Sequence, residues 1–384
     1  MTLTQTRYEL PDIKHSFDLT EEQRMVREMV REFALSEVAP IAAEIDENHR
    51  FPTETWKQIV ELGIPGIPFS EDVGGSNGGT LAYILAVEEI SRVCGSTGLT
   101  LAAHVSLGTY PIYAWGAASL RDAYVPKLIA GEYMGAYGLT EPGAGSDSGA
   151  TRTTAVLDGD SWVLNGRKCF CTNATYAGTV IITAVTDKSL GPKGISAFVV
   201  PRDAEGYHLE KGEIKLGMRG SDWASLVFED ARIPRDHLLG PEGQGFATFM
   251  KTLEGGRISI GALGLGIAQG AYDCARRHAQ EREAFGKPLS AQQAVSFKLA
   301  NMAVGSRPRG TWSTTPRASR TPARPSAWRP RSPSSTPPRS PCASPTTRSR
   351  SSAATATAAS TRSSACGATP SCAPSARARA RSSA

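Results

Sequence analysis

The hydrophobic periodicity of the chain changes twice, and this order of patterns restricts the fold more than any other sequence feature. From Met25 to about residue 135, apolar residues recur at helical spacing. Between about 150 and 234 they alternate in short segments, and after Pro234 the helical spacing returns. No long helical segment interrupts the alternating region. This excludes a βαβ nucleotide-binding fold and predicts an antiparallel β domain between two helical regions.

Capping and turn residues predict where individual elements begin and end. Thr20 followed by Gln23 predicts a capping box at the start of the first helix. Gly95 is predicted to end a later helix, because glycine is common just beyond the last helical residue. In the alternating region, Asp158-Gly159 and Asn165-Gly166 both have the composition of tight hairpin turns.

Residues 306–384 differ in composition from the rest of the chain. They contain no Leu, Ile, Val, Phe, Lys, Asp or Glu. Residues 1–305 hold 28 basic and 37 acidic side chains, whereas residues 306–384 hold 14 basic side chains and no acidic one. The acidic first part argues against a nucleic-acid partner. The sequence shows no signal-peptide core and no membrane-spanning run, so we expect a cytoplasmic protein without membrane contact.

The cysteines of residues 1–305 give no indication of a metal site. Cys94, Cys169, Cys171 and Cys274 lack the spacing of zinc ligands. A disulfide framework is not expected in a cytoplasmic chain, so we predict free thiols and no bound metal.

The stretch YGLTEPGAGSDSGA, from Tyr137 to Ala150, is a candidate ligand-binding loop. Its glycines would let the backbone approach a ligand closely, and Thr140 and Ser146 would supply hydroxyl donors. The glycine spacing does not fit G-x-G-x-x-G, and the stretch precedes strands and opens no helix, which argues against a dinucleotide fingerprint. Taken alone, it would more simply be a structural turn.

Five further motifs in the same order change this interpretation. They are LNGRKCFCTNA, GISAFVVP, KLGMRGSDWASLVFEDARIP, LEGGRISIGALGLGIAQGAYD and EREAFGKPLSAQQAVSFKLANMA. Together with the loop they resemble the acyl-CoA dehydrogenase family, and its short-chain branch most closely, over about residues 15–305. The resemblance implies an α+β fold with an N-terminal all-α domain (1–135), a middle antiparallel β domain (136–240) and the beginning of a C-terminal α-bundle domain (241–305).

The resemblance also implies a reaction, a cofactor and partners. Members of the family bind FAD and convert an acyl-CoA to the 2-enoyl-CoA, and they pass the electrons to an electron-transferring flavoprotein. A carboxylate base removes the α-proton while the β-hydrogen leaves as hydride, and hydrogen-bond donors hold the thioester carbonyl. The intact protein is expected to be a homotetramer. An acyl-CoA oxidase is a related alternative, which peroxide formation would distinguish.

FAD contacts are implied at three places in the sequence. Residues of the loop correspond to positions beside the flavin ring: Tyr137, Leu139, Thr140, Gly145 and Ser146. Phe170, Cys171 and Thr172 correspond to the family's Trp-Ile-Thr, in which the aromatic ring covers one flavin face and the Thr hydroxyl approaches N5. Arg282, Phe285 and Gln293 correspond to positions that reach FAD, the first two in a neighbouring subunit. Without the family, Arg282 would be a solvated helix-end charge and Phe285 a core residue.

Substrate contacts are implied at Ser146 and along the segment from Glu254 to Arg257, which includes Gly255 and Gly256. Some relatives place the catalytic base at the position of Gly256, just before the Arg. Glu254 lies about 200° away around a helix, so it is not accepted as a substitute. The short-chain branch places the base in a C-terminal E-G-T-S-E motif, which should lie within residues 306–384.

We interpret residues 306–384 as a disordered, out-of-frame translation. Read one base late, GC-rich codons for the family motif QILGGYGY give Arg350–Thr357, and codons for TIGEGTSEIQ give Ala373–Ser382. The codon of the expected catalytic Glu would straddle Ala376 and Arg377, so no catalytic residue is assigned. Two alternatives remain: a genuine basic tail, and a catalytically inactive remnant that binds flavin and CoA.

Overall fold

The computed structural model describes residues 19–212 and 214–314, with side chains described as far as Gly305. The first helix, α1 (Glu21–Phe33), begins with the predicted capping box. Gln23 N donates to Thr20 Oγ1 at 3.2 Å, and Thr20 N donates to Gln23 Oε1 at 3.1 Å. Six further helices follow: α2 (Ala42–Glu47), α3 (Thr53–Glu61), α4 (Gly79–Val93), α5 (Gly95–Ala103), α6 (Tyr110–Trp115) and α7 (Ala118–Ile129). The predicted N-terminal helical region is confirmed.

Gly95 does not end a helix as predicted, because it is the first residue of α5. The break between α4 and α5 lies at Cys94, whose backbone is extended at φ −145°. A Cβ at Gly95 would lie 3.1 Å from both Met218 and Ile267. The glycine is therefore explained by this close packing and not by a helix terminus.

Seven strands form one sheet in the middle of the chain. They are β1 (Met134–Gly138), β2 (Thr154–Asp158), β3 (Ser161–Thr172), β4 (Ala177–Val185), β5 (Ile195–Pro201), β6 (Tyr207–Lys211) and β7 (Trp223–Pro234). The strand order is β1-β4-β2-β3-β7-β6, and β5 pairs with β4. The predicted β domain is confirmed, and four of its pairings are antiparallel. The pairings of β1 and β2 with β4 are parallel, which periodicity did not predict.

The two predicted hairpin turns have different outcomes. Asp158 pairs with Ser161 across the β2–β3 turn, where Gly159 has φ +62°. The prediction for Asn165-Gly166 is wrong, because both residues lie inside β3 at a bulge in its pairing with β7. Gly166 has φ +146°, and a Cβ there would lie 2.6 Å from Thr153 Oγ1. Close backbone approach therefore explains this glycine.

Helices return after the sheet, as predicted. α8 (Gly245–Glu281) is followed by a short hairpin of β8 (Glu283–Ala284) and β9 (Lys287–Pro288), and then by α9 (Gln293–Thr314). The helical pattern was predicted to stop at Gly305, but α9 continues to Thr314. The predictions for Arg350–Thr357, Ala373–Ser382 and the Ala376/Arg377 position lie outside the described residues.

Helices α4 and α8 are in close contact, and this joins the two helical regions. A Cβ at Gly266 would lie 2.2 Å from Glu88 O, and one at Gly270 would lie 2.0 Å from Arg92 O. Arg92 Nη2 also forms an ion pair with Asp273 Oδ2 at 2.5 Å. The main apolar core includes residues of α4, α5 and α8, and a second core lies within the sheet. Among the helices of the described residues, none is both long and apolar enough to cross a membrane.

Candidate functional site

The loop that follows β1 is closed by a tight turn at its centre. Glu141 N donates to Ala144 O at 2.9 Å, and Ala144 N donates back to Glu141 O at 3.1 Å. Gly145 and Ser146 come directly after this turn, and both are exposed. A Cβ at Gly145 would meet nothing within 4 Å. The loop therefore presents Gly145 and Ser146 to the outside, as a ligand contact would require.

A second bulge in β3 (the β3 bulge) interrupts its pairing with β7 between Lys168 and Cys171, and it places Phe170 beside this loop. Cys169 N donates to Thr140 O at 2.7 Å, so the two predicted flavin segments are in direct contact. Phe170 has φ +60° and stacks on Trp223, with ring centroids 4.9 Å apart and planes 15° from parallel. Phe170 remains 56% exposed, so one aromatic surface is available to a ligand.

The two residues after Phe170 differ in their surroundings. Cys171 is fully buried, and burial raises the pKa of its thiol to about 12, so the thiol is neutral and inert. Thr172 is half-buried and lies opposite Trp223 in the β3–β7 pairing. Cys94 is also buried, and Cys169 and Cys274 are half-buried.

A buried ion pair that the sequence analysis missed lies beneath the loop. Lys168 Nζ donates to Glu141 Oε1 at 2.7 Å, to Thr151 Oγ1 at 3.0 Å and to Thr183 Oγ1 at 3.2 Å. Alternation along β3 places Lys168 on the same face as the buried Trp162 and Leu164. A charged side chain on a core face requires an opposite charge nearby, so this pattern could have indicated the pair.

Tyr137 connects β1 to α8. Its ring stacks on Phe249 with centroids 4.3 Å apart, and its hydroxyl donates to Phe249 O at 3.2 Å. Burial raises the pKa of the Tyr137 phenol, so Tyr137 is neutral and serves as a hydrogen-bond donor. Leu139, two residues on, is half-buried and packs against the main core. These contacts fix the start of the loop against the helix that carries the predicted substrate segment.

The predicted substrate segment occupies two faces of α8. Gly256 is buried, and a Cβ there would lie 3.1 Å from Leu107. Glu254, Gly255 and Arg257 are exposed. The exposed Glu254 side chain therefore lies on a different face of α8 from the buried Gly256.

His104 holds β1 in place from the opposite side. It lies in a π-helical segment between α5 and α6, His104–Thr109, and is fully buried. Its Nδ1 accepts a hydrogen bond from Gly135 N at 3.0 Å, and its Nε2 lies 3.1 Å from Leu128 O. Burial lowers the pKa of His104 to about 4, so the ring is neutral, with its proton on Nε2.

Two glycine backbones are also in contact at this point. A Cβ at Gly108, in the π-helical segment, would lie 2.5 Å from the Gly135 carbonyl carbon. A Cβ at Gly135 would lie 2.9 Å from the Gly108 backbone. Together with His104, this contact allows the helical segment to lie directly on the first residues of β1.

The remaining predicted FAD residues lie elsewhere, around the β8–β9 hairpin. Arg282 is exposed at the end of α8, and its carbonyl accepts a hydrogen bond from Leu289 N at 2.8 Å. Phe285 and Gly286 form the turn with φ +56° and +70°. Phe285 is 95% exposed, so the alternative of a core residue is wrong. Gln293 is exposed at the start of α9.

No hydrogen bond among residues 19–212 and 214–314 joins Arg282, Phe285 or Gln293 to the loop between Tyr137 and Ser146. The described residues also contain no group of three or more His, Cys, Asp or Glu side chains that could hold a metal ion. The candidate site within this chain is thus assembled from the loop, the β3 bulge and the adjacent part of α8.

Three family descriptions match consecutive parts of the chain. They are "Acyl-CoA dehydrogenase, N-terminal domain" over residues 20–132, "middle domain" over 136–231 and "C-terminal domain" over 243–307. The chain is 51% identical over 288 residues to an acyl-CoA dehydrogenase, short-chain specific, of Clostridium acetobutylicum. That match covers 75% of this chain and 76% of the relative.

Solved structures show the same similarity. Butyryl-CoA dehydrogenase from Megasphaera elsdenii matches with a TM-score of 0.75 and 39% identity, over 76% of this chain and 78% of that one. A chain from a study of the electron transferring flavoprotein of Acidaminococcus fermentans matches with a TM-score of 0.75 and 45% identity, covering 76% and 77%. An acyl-CoA dehydrogenase from Bacillus anthracis complexed with FAD matches with a TM-score of 0.73 and 33% identity, covering 78% and 51%.

Proposed function

Because this chain belongs to the acyl-CoA dehydrogenase family, we propose that its fold serves the FAD-dependent α,β-dehydrogenation of a short-chain acyl-CoA. The observation that carries the proposal is the contact between Thr140 and the β3 bulge, which brings two family motifs into one site. The 51% identity to a relative named as short-chain specific supports the choice of substrate length.

The residues present fit a flavin. Phe170 offers an exposed aromatic surface, and its stacking on Trp223 keeps that surface in a fixed orientation. The loop beside it exposes Gly145 and the hydroxyl of Ser146, so the backbone can approach a planar ring closely. FAD supplies the hydride acceptor of the reaction when it is bound.

The chain's own residues bind and orient the flavin and the acyl-CoA. We assign Thr140 and Thr172 to flavin contacts, because Thr140 O accepts a hydrogen bond from Cys169 N and Thr172 lies two residues after Phe170. Tyr137 holds the loop against α8, and the exposed side chains of Glu254 and Arg257 are assigned to the CoA moiety. Arg282 and Phe285 are assigned to FAD of a neighbouring subunit in a homotetramer, because their exposure leaves them free to reach across. Gln293 is assigned to a nearby FAD contact.

No residue is assigned as the catalytic base. Gly256 carries no carboxylate, and residues 306–384 contain no Asp or Glu. A second candidate function follows from this observation: the 384-residue chain binds flavin and acyl-CoA without turnover. An electron-transferring flavoprotein is proposed as the electron acceptor of the active form, supported by the similar chain in the study of such a flavoprotein.

The test compares the 384-residue chain with a protein in which a one-base correction of the gene near codon 305 restores the E-G-T-S-E motif. Both proteins would be purified with FAD and assayed anaerobically with butyryl-CoA and a dye acceptor. We expect both to bind FAD and only the corrected protein to reduce the dye. Equal turnover by the 384-residue chain would show that the catalytic base lies outside the E-G-T-S-E motif. Absence of FAD binding by both proteins would contradict the proposed function, and peroxide formation in air would favour the oxidase.

A further inference from the structure

The Glu141 carboxylate closes the segment that contains the exposed part of the loop. It accepts hydrogen bonds from Arg152 N at 2.7 Å, from Thr153 N at 3.1 Å and from Thr153 Oγ1 at 2.6 Å. The Thr151 hydroxyl also donates to it. One side chain at the start of the segment thus binds three consecutive residues at its end, which holds residues 142–150 as a closed loop.

Lys168 provides the opposite charge and a second connection. Its side chain is fully buried, and it lies two residues before Phe170. The ion pair therefore links the closed loop to the strand that carries the exposed aromatic ring. Burial would raise the pKa of the Glu141 carboxyl, but the Lys168 ammonium and the threonine hydroxyls outweigh it and lower that pKa to about 2.

We propose that Glu141 and Lys168 are positioning residues, which hold the Gly145–Ser146 part of the loop and the Phe170 bulge in the arrangement that receives the flavin. The proposal rests on the proposed function for the identity of the ligand. It follows from the position of the pair, since the carboxylate is carried by the residue at the start of the loop and bonds residues at its end, and the ammonium comes from the adjacent strand. A buried pair with this many hydrogen bonds has one geometry, so it can fix the surrounding backbone.

The first experiment replaces Glu141 by Gln in the full chain and measures the dissociation constant of FAD by quenching of flavin fluorescence. We expect the constant to rise by about tenfold or more, the factor for one lost charge-assisted hydrogen bond. Because Glu141→Gln leaves Lys168 buried without its partner, the double variant Glu141→Gln/Lys168→Met would be measured in parallel. It removes both charges and should show the same loss of FAD affinity.

The matched control is Asp273→Asn, which breaks the ion pair with Arg92 between α4 and α8, away from the loop. It should lower the unfolding temperature without changing the dissociation constant of FAD. A change of less than twofold in FAD affinity for both Glu141 variants, with FAD bound normally by the unmodified chain, would overturn the positioning role alone.

A second readout does not depend on FAD. Hydrogen–deuterium exchange of the apoprotein should become faster across residues 142–150 in both Glu141 variants and remain unchanged there in Asp273→Asn. Unchanged exchange in the Glu141 variants would overturn the proposal, whether or not the chain binds FAD. Faster exchange in a chain that binds no FAD would support the loop closure and contradict the proposed function.

Discussion

At the scale of single residues, His104 has the contacts of a structural histidine. Both ring nitrogens are engaged, one as donor to Leu128 O and one as acceptor from Gly135 N. Only the neutral ring can accept from Gly135 N, because both nitrogens of a protonated ring are donors. Protonation in the folded state would therefore break the connection that holds the start of β1, next to the candidate site.

This arrangement predicts a loss of stability in weak acid. The pKa of His104 is about 4 in the folded state and about 6.5 in an unfolded chain, so only the unfolded state gains this proton between those pH values. The free energy of unfolding should fall with decreasing pH by up to about 1.4 kcal/mol per unit in that window. The measurement is urea unfolding of the chain and of His104→Gln at pH 6.5, 5.5 and 4.5.

For His104→Gln, the free energy of unfolding should depend less steeply on pH, since Gln can donate and accept hydrogen bonds without titrating. Measuring at pH 4.5 and above separates this effect from that of Glu141, whose stabilisation is lost mainly between about pH 4.5 and about pH 2. His278→Gln is the control, because His278 is exposed near the end of α8. Equal slopes for the unmodified chain and His104→Gln would contradict the assignment.

At the scale of elements, the bulge in β3 places an aromatic ring where regular pairing would not. Phe170 adopts φ +60°, a backbone conformation that costs a non-glycine residue about 1–2 kcal/mol. The stacking on Trp223 compensates part of this cost. The strain is retained at the position that we assign to a flavin face, so it serves the site and not the stability of the strand.

The bulge predicts different effects for Phe170→Gly and Phe170→Ala. Both variants lose the ring and should bind FAD more weakly than the unmodified chain. Phe170→Gly should nevertheless be more stable than Phe170→Ala by about 1 kcal/mol, because glycine adopts positive φ without strain. Thermal unfolding of the two apoproteins measures this difference. Equal stability would mean that the bulge relaxes when the ring is removed.

The sequence predicted the elements better than their pairing. Alternation and the Asp158-Gly159 turn were enough for the β2–β3 hairpin, and Thr20 with Gln23 for the start of α1. The parallel pairing of β1 with β4 was not predictable in this way, because it joins strands far apart in the chain. Asn165-Gly166 was misleading for the same reason, since the approach of Thr153 decides the role of its glycine.

The candidate site was likewise only partly predictable. Family motifs named Thr140 and Phe170, and the structure places their segments in contact. The stacking of Trp223 on Phe170 and of Phe249 on Tyr137 joins side chains that are far apart in the sequence. No local sequence pattern indicates such contacts. Lys168 is the exception, since a charge on the core face of a strand was visible in the sequence.

At the scale of the whole molecule, α9 leaves apolar surface exposed. Phe297 is 59% exposed and Val304 is 68% exposed. Residues 306–384 contain no Leu, Ile, Val, Met, Phe or Tyr, and Trp312 and Trp328 are their only large apolar side chains, so they offer little large apolar surface that could cover α9. We therefore expect a second copy of the chain to contact α9.

Sedimentation velocity at increasing protein concentration tests this expectation. The unmodified chain should form larger species as its concentration rises, and Phe297→Ser/Val304→Ser should form fewer of them. Val156→Ser is the control, since Val156 is 63% exposed but lies on β2, away from α9. If the control variant reduced association as strongly as the α9 variant, the contact would not involve α9.

The contact between Gly108 and Gly135 has a consequence for how this family can vary. Where two side chains are in contact, a larger residue at one position can be accommodated by a smaller residue at the other. Here each added methyl group would meet backbone atoms within 3 Å, and backbone cannot become smaller. We expect both positions to remain glycine independently of each other, so that this contact leaves no trace in the correlated substitutions from which spatial neighbours are usually inferred.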